Sequence, residues 1–298
     1  MAKITGPTVS VIIPLFNGKE VIGRTIESAV AQTYQDREII LVDDGSTDGS
    51  ADIVKTFGHK VHYRHFENGG VAKARNRGIR LANGRFIALL DHDDLWAPTK
   101  LEKQVRFLER HPAIGMVVTD VAHIDRNGCL TGEIGRGFNP NENFARLFVH
   151  GYVPTPSAAM IRRSVFDKVG FFDERFHSAG LDDHELWARV AGDCDIAGIP
   201  EPLTFHRAGK KKSAAIGLEH RAILISTLLE RFGWEREKRR YLLRERASYL
   251  SDLGKQQIRD GDRLSGFLSL REGFVLSVGE AKSWKTALRC LLRMARAY

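Results

Sequence analysis

Carboxylates collect where an apolar run stops. In RFIALLDHDDLWAP, residues 85–98, a stretch suited to a buried strand ends at Asp91, Asp93 and Asp94, three acids within four positions. Like charges held this close repel one another, so the cluster calls for a cation or several hydrogen-bond donors. The pattern recurs in LVDDGSTD, where Asp43 and Asp44 end another apolar run, and in LDDHELW, where Asp182 and Asp183 open a helical pattern. Structural roles stand beside the chemical ones. Acids in a first helical turn suit the helix dipole, and turns rich in Asp and Ser cap helices.

These acids need elements to hold them. VSVIIPLF (9–16), EIILVDD (38–44), VHYRHF (61–66), RFIALLD (85–91) and GMVVTDV (115–121) read as strands, and the Val- and Ile-rich runs among them suit burial on both faces. Helical patterns separate them at about 18–32, 49–57, 70–83 and 98–110. Ser46 or Asp48 suits the cap of the second helix, and Pro98 suits the first turn of the fourth. Such alternation predicts an α/β fold with a mostly parallel sheet covered on both sides. In these sheets ligands bind at the carboxyl ends of strands, and both the Asp43–Asp44 and Asp91–Asp94 groups fall at carboxyl ends.

After residue 122 the alternation fades. GRGFNPNENF (135–144) reads as a loop, SAAMIRR (157–163) as a strand, and LDDHELWARVA (181–191) as a helix with Leu181, Leu186 and Val190 inward. A boundary is expected near RAGKKKSAA (207–215), giving an α/β domain over 1–207 and a basic helical extension over 208–298.

Composition limits the function. No apolar window approaches the ~18 residues of a bilayer span, and the amino end lacks the pattern of a secretory leader. Cys129, Cys194 and Cys290 are widely spaced, without a CxxC pair, so a reducing cytoplasm is the expected setting. Residues 1–206 hold 24 Lys and Arg against 27 Asp and Glu, whereas residues 207–298 hold 21 against 10. A basic tail suits an anionic partner, or a solvated helical face. No nucleic-acid-reading motif accompanies the charge, so no nucleic-acid partner is expected.

In order along residues 7–207, VSVIIPLFN, SAVAQTYQDREIILVDDGSTDGS, NGGVAKARNRGI, GRFIALLDHDDLWAPTKL and DDHELWARV resemble the family 2 glycosyltransferases. These are inverting nucleotide-sugar enzymes of the GT-A fold, a Rossmann-like arrangement. The resemblance implies that Asp91-His92-Asp93 is a D-x-D motif holding Mg2+ or Mn2+ against a nucleotide diphosphate. Such ions take one or two carboxylates plus phosphate oxygens. Asp93 is the first choice for ligation, Asp91 lies toward the sugar or ribose, and His92 neighbours the nucleotide. Asp94 is expected to cap the following helix. Pro14, Phe16 and Asn17 would line the base and ribose pocket, Asp44 would accept from the N3–H of a uracil-type base, and Asp43 would order the turn. Lys73 and Arg75, with the glycine pair before them, would meet the diphosphate, although no G-x-G-x-x-G or Walker spacing is present.

Inverting transfer needs one general base, which the family places at a helix start as Glu-Asp before LW. Here the pair is Asp182-Asp183, with Asp183 matching the family's Asp. Crowding by a like charge favours a carboxylate as a base. The sequence departs from the family downstream: LTFHRAGKKKS lacks the usual later His, which leaves a third metal ligand open, with His206 or Arg207 as candidates near the diphosphate. GKKKS reads as a solvated linker or a basic lid.

The implied donor is a UDP- or dTDP-sugar and the implied acceptor a saccharide or a lipid-linked sugar. The rival reading is a non-catalytic nucleotide-sugar-binding module. In the extension, Ile225, Leu228, Leu229 and Phe232 follow helical spacing. WKTALRCLLRMARAY places Trp284, Leu288, Leu291 and Ala295 opposite Lys285, Arg289, Arg293 and Arg296. That pattern suits either a peripheral membrane contact or packing against protein.

Overall fold

The computed structural model describes residues 6–135, 153–179, 181–207, 214–233 and 235–279. Nine strands form one sheet: β1 (Val9–Leu15), β2 (Arg37–Asp43), β3 (His62–His65), β4 (Phe86–Leu89), β5 (Leu95–Trp96), β6 (Ile114–Ile124), β7 (Leu130–Gly135), β8 (Ala159–Arg162) and β9 (Asp195–Arg207). Their order is β3-β2-β1-β4-β8-β6-β9-β5, with β7 beside β6. Strands β1, β2, β3, β4, β6 and β9 run one way and β5, β7 and β8 the other. The expected α/β architecture and largely parallel sheet are both present.

Every residue of β1 is buried, as a strand flanked by neighbours and covered on both faces must be. One face carries α3 (Val71–Leu81), α5 (Arg163–Val169) and α6 (Asp182–Asp193) on Ile12, Ile40, Val42, Ile87 and Val118. The other carries α1 (Ile22–Val30), α2 (Ser50–Lys55) and α4 (Lys100–Arg110) on Val11, Ile13, Leu41, Phe86 and Leu90. Gly78 lets α3 lie close to the sheet: a Cβ there would stand 2.4 Å from Ile12 Cγ2. The inward set Leu181, Leu186 and Val190 is buried.

The chain runs from β1 out to β2 and β3, then returns to place β4 on the other side of β1. Connections therefore diverge between β1 and β4, and the crevice opened at such a reversal is where α/β sheets bind ligands. The loops after Leu15 and after Leu89 border it.

Local signals differ in places. The Asp48 carboxylate accepts from the Ser50 N–H at 2.9 Å, while the cap position of α2 is Gly49 at φ 89°. Ser46 has another task, since its hydroxyl accepts from Asn17 N–H at 3.0 Å. Pro98 lies outside α4, which starts at Lys100, and its carbonyl accepts from Thr33 N–H at 2.8 Å. Of the expected loop at 135–144, residues 136–144 lie outside the described residues.

By contact the chain divides into two units, Met1–Gly209 and Lys210–Tyr298. Within the second, α7 (Ala214–Phe232) buries Leu224, Ile225, Leu228 and Phe232. It is followed by α8 (Arg236–Arg259) and α9 (Arg263–Gly279). The stripe expected at 284–296 and the GKKKS segment lie outside the described residues. No described helix is long and apolar enough to cross a membrane.

Candidate active site

The crevice between β1 and β4 opens on a cavity of about 190 Å3 lined by Pro14, Leu15, Phe16, Asp44, Asn68, Gly70, Val71, Ala74 and His92. Four of the residues singled out in the sequence, Pro14, Phe16, Asp44 and His92, thus share one wall. Phe16 is 47 % exposed beside it, a flat apolar face on which a planar ring can stack. Asn17 is shaped by strain. Its φ of 49° is tolerated by asparagine, and its side-chain oxygen accepts from Thr47 N–H at 2.9 Å. Asn17 therefore fastens the first loop to the Asp43–Asp48 turn. His92 packs on Gly18, where a Cβ would lie 2.5 Å from its ring.

Asp43 is buried beneath that turn. It accepts from Ser46 N–H at 2.8 Å and from the Tyr63 hydroxyl at 2.7 Å, with His65 Nδ1 at 3.3 Å. Burial pushes its pKa up, but the donors outweigh it and hold the carboxyl below its ordinary value. Asp44 accepts from Gly70 N–H at 2.7 Å, from Gly69 N–H at 3.0 Å and from Arg77 at 3.0 Å. It pins the glycine pair that opens α3, where Gly70 takes φ 90°. A base contact by Asp44 would share the carboxylate with these three donors.

Arg75 is buried, donating from Nη2 to Asp91 Oδ1 and from Nη1 to Asp182 Oδ2, each at 2.6 Å. Its guanidinium carbon lies 5.3 Å from the Phe172 ring centre. Burial works against the charge, yet Asp91 and Asp182 more than offset it and raise the pKa. The reason is geometric: α3 turns this position toward the core, and a buried guanidinium must find anions. Lys73, in the first turn of α3, runs its methylene chain over Gly69.

Asp182 and Asp183 differ in burial. Asp182 is 3 % exposed; burial pushes its pKa up, Asp183 and Asp91 add to this, and Arg75 opposes it. Asp183 is partly exposed at the helix start, and its Oδ1 accepts from His184 N–H at 2.8 Å.

Asp94 is not a helix cap; α4 begins after Thr99 with no side-chain cap. It is 1 % exposed, accepting from the Thr155 hydroxyl at 3.0 Å and from Arg207 N–H at 3.0 Å. Burial, then Asp91 and Asp93, push its carboxyl up to about 8. Arg207 ties the same loop a second time through its side chain. Its guanidinium donates to the carbonyls of Asp93, Asp125 and Arg126, clasping the acidic loop to β6 and β9.

His206 sits beside this clasp with Nδ1 buried and unpartnered, its ring 5.4 Å from that of His123. Burial, then His123, lower its pKa, with Asp93 and Asp91 pulling the other way. Sequence reasoning missed His123, Asn68 and Ser157. Ser157 accepts from Asp91 N–H at 2.9 Å, and Asn68 was visible only as the first letter of NGG.

One guanidinium thus faces Asp91, Asp182 and Asp183, with Asp93 close by, which leaves excess negative charge at the sheet edge. A divalent cation fits that imbalance, and hard carboxylate oxygens suit it. Among the described residues no three His, Cys, Asp or Glu side chains converge into a metal cage.

Comparison with known proteins identifies the family. The family model described as glycosyl transferase family 2 matches residues 10–170, and the chain belongs to that family. It is 30 % identical over 184 residues to the Escherichia coli UDP-Glc:alpha-D-GlcNAc-diphosphoundecaprenol beta-1,3-glucosyltransferase WfaP, covering 61 % of this chain and 69 % of that one. Uncharacterized glycosyltransferases of Rickettsia species also match, and the chain spans only 27 % to 59 % of their lengths. Among solved structures, S. aureus TarS 1-349 in complex with UDP-GlcNAc superposes with a TM-score of 0.60 at 16 % identity, covering 90 % of both chains. The Pyrobaculum calidifontis mannosyltransferase PcManGT, solved with GDP-Man and Mn2+, gives 0.57 at 20 % identity, covering 99 % of this chain and 88 % of that one.

Proposed function

We propose that this chain transfers a sugar, with inversion, from a UDP- or dTDP-sugar to a hydroxyl of a saccharide or lipid-linked acceptor in bacterial envelope polysaccharide assembly. The observation that carries the reading is the division of labour around Arg75. It bonds both Asp91 and Asp182 and leaves Asp183 partly exposed at the start of α6. WfaP, with its UDP-glucose donor and diphosphoundecaprenol acceptor, supports this donor and acceptor class.

In this reading the planar base enters between Phe16 and the β2 turn, with Pro14 and His92 as walls and Asp44 at its edge. Asp93 and Asp91 face the diphosphate and would hold Mg2+ or Mn2+, which when bound offsets charge on the leaving diphosphate. Lys73 lies nearest the phosphates on α3. Asp183 takes the proton from the acceptor hydroxyl as its oxygen bonds the anomeric carbon and the nucleoside diphosphate departs. Asp182, held by Arg75, fixes the register of the helix start that aims Asp183. No nucleophilic side chain is required, because inversion is a single displacement.

An Asp183→Asn variant separates binding from chemistry. Calorimetric UDP affinity should stay within about threefold, while transfer falls about 10²- to 10⁴-fold. Unchanged turnover would remove Asp183 from the mechanism.

A further inference from the structure

Helices α8 and α9 meet through glycine contacts. A Cβ at Gly254 would stand 2.7 Å from the Gly266 carbonyl oxygen, and one at Gly273 would stand 2.9 Å from that of Ala247. Gly266, Leu270 and Gly273 thus make the inner face of α9, with Leu270 only 1 % exposed. The opposite face is apolar as well. Leu264, Phe267, Leu268 and Val275 recur at helical spacing and are 73 %, 38 %, 51 % and 57 % exposed. Arg271 lies on the same stripe, and Arg263 stands at its margin, both exposed. Glu272, at the other margin, is paired with Arg246. A helix that is apolar on both sides is ordinarily covered on both, and a contiguous exposed apolar face marks an interaction surface.

The geometry points to this stripe as a docking face for an anionic lipid surface. Charge decides between occupants. Residues 207–298 hold 21 Lys and Arg against 10 Asp and Glu, so a second copy would bring the same excess against it, while headgroup phosphates attract it. The stripe itself carries no acid. Its four apolar side chains suit the boundary between headgroups and acyl chains, about 5–10 Å deep, with the Arg271 head reaching back to phosphate. Nothing in this surface depends on the sugar-transfer reading; it would stand if that reading failed.

The test is co-sedimentation of the full chain with vesicles of phosphatidylglycerol and phosphatidylcholine in equal parts, against pure phosphatidylcholine. Binding to the mixed vesicles should exceed that to the neutral ones and fall with added salt. The double variant Leu264→Asn/Leu268→Asn should bind at least about tenfold more weakly, with unchanged circular dichroism. Arg271→Gln should bind about fivefold more weakly. Phe267→Ser serves if the double variant unfolds. Equal binding by wild type and these variants would overturn the proposal, as would equal binding to both vesicle types. A stripe variant that breaks up an oligomer without changing vesicle binding would overturn it too, in favour of a protein partner.

Discussion

Arg75 is the residue that Asp91 and Asp182 share, and its substitution shows what such a contact is worth. Removing one member of a buried ion pair costs about 3–5 kcal/mol, because the partner is left charged and dry. Arg75→Met should therefore lower stability by about that amount in urea unfolding. Arg75→Met combined with Asp182→Asn should recover part of the loss, because one orphaned acid is then neutral. Additive effects in that cycle would show that the two side chains do not communicate. Arg75→Lys keeps the charge but loses the fork that reaches both acids, so it should fold better than Arg75→Met. The fork's role was not legible in NGGVAKARNRG. Asp182 lies 107 positions away, and a basic residue in a helix reads locally as a surface cation. The place of Asp91, Asp93 and Asp94 after β4 was legible, because an apolar run that ends in acids names its own carboxyl end.

At the scale of elements, α4 holds a lysine where a helix facing the sheet should hold none. Lys100 is 0 % exposed, with Nζ 2.7 Å from Gln104 Oε1 and 4.2 Å from the Trp96 ring centre. Burial lowers its pKa well below the ordinary value. The sign follows. A base with a depressed folded pKa costs nothing above its unfolded value, about 10.4. As pH falls below that, protonation of the unfolded chain draws stability away until the folded pKa is reached. Lys100→Met should hence raise stability at pH 7 by on the order of 1–3 kcal/mol, and thermal melts should show the gap shrinking toward pH 10. A constant gap would mean that packing, not charge, separates the two. Elements with strong patterns were readable: β1 and β2 from unbroken Val and Ile runs, and α6 from Leu186 and Val190. The edges were not. β5 is two residues long and exists only because Leu95 and Trp96 find Phe205 and Thr204. The exposed and half-buried positions of β9 hide a 13-residue strand. Pro98 read as a helix opener, but its carbonyl is occupied by Thr33.

For the whole molecule, the two units differ in kind as well as charge. Residues 6–207 carry every described strand, both cores of the sheet and every acid of the candidate site. A chain ending at Gly209 should therefore unfold cooperatively and bind UDP within about threefold of the full protein, since each core is closed within it. Loss of the thermal transition on truncation would show that the basic unit is needed for folding. The charge change near residue 207 was visible in composition alone. The fold of the basic unit was visible only as helix, because glycine contacts such as Gly254 on Gly266 leave no periodic trace.

The Arg207 clasp carries a consequence for synthesis. The loop bearing Asp93 and Asp94 is finished by an amide and a guanidinium more than a hundred residues later in the chain. A ribosome that has released β1 through β8 has made most of the sheet but not its working edge. The acidic loop gains its last restraints only when the end of β9 emerges. A nascent chain stalled before that point would be largely folded, with its acidic loop still unfastened.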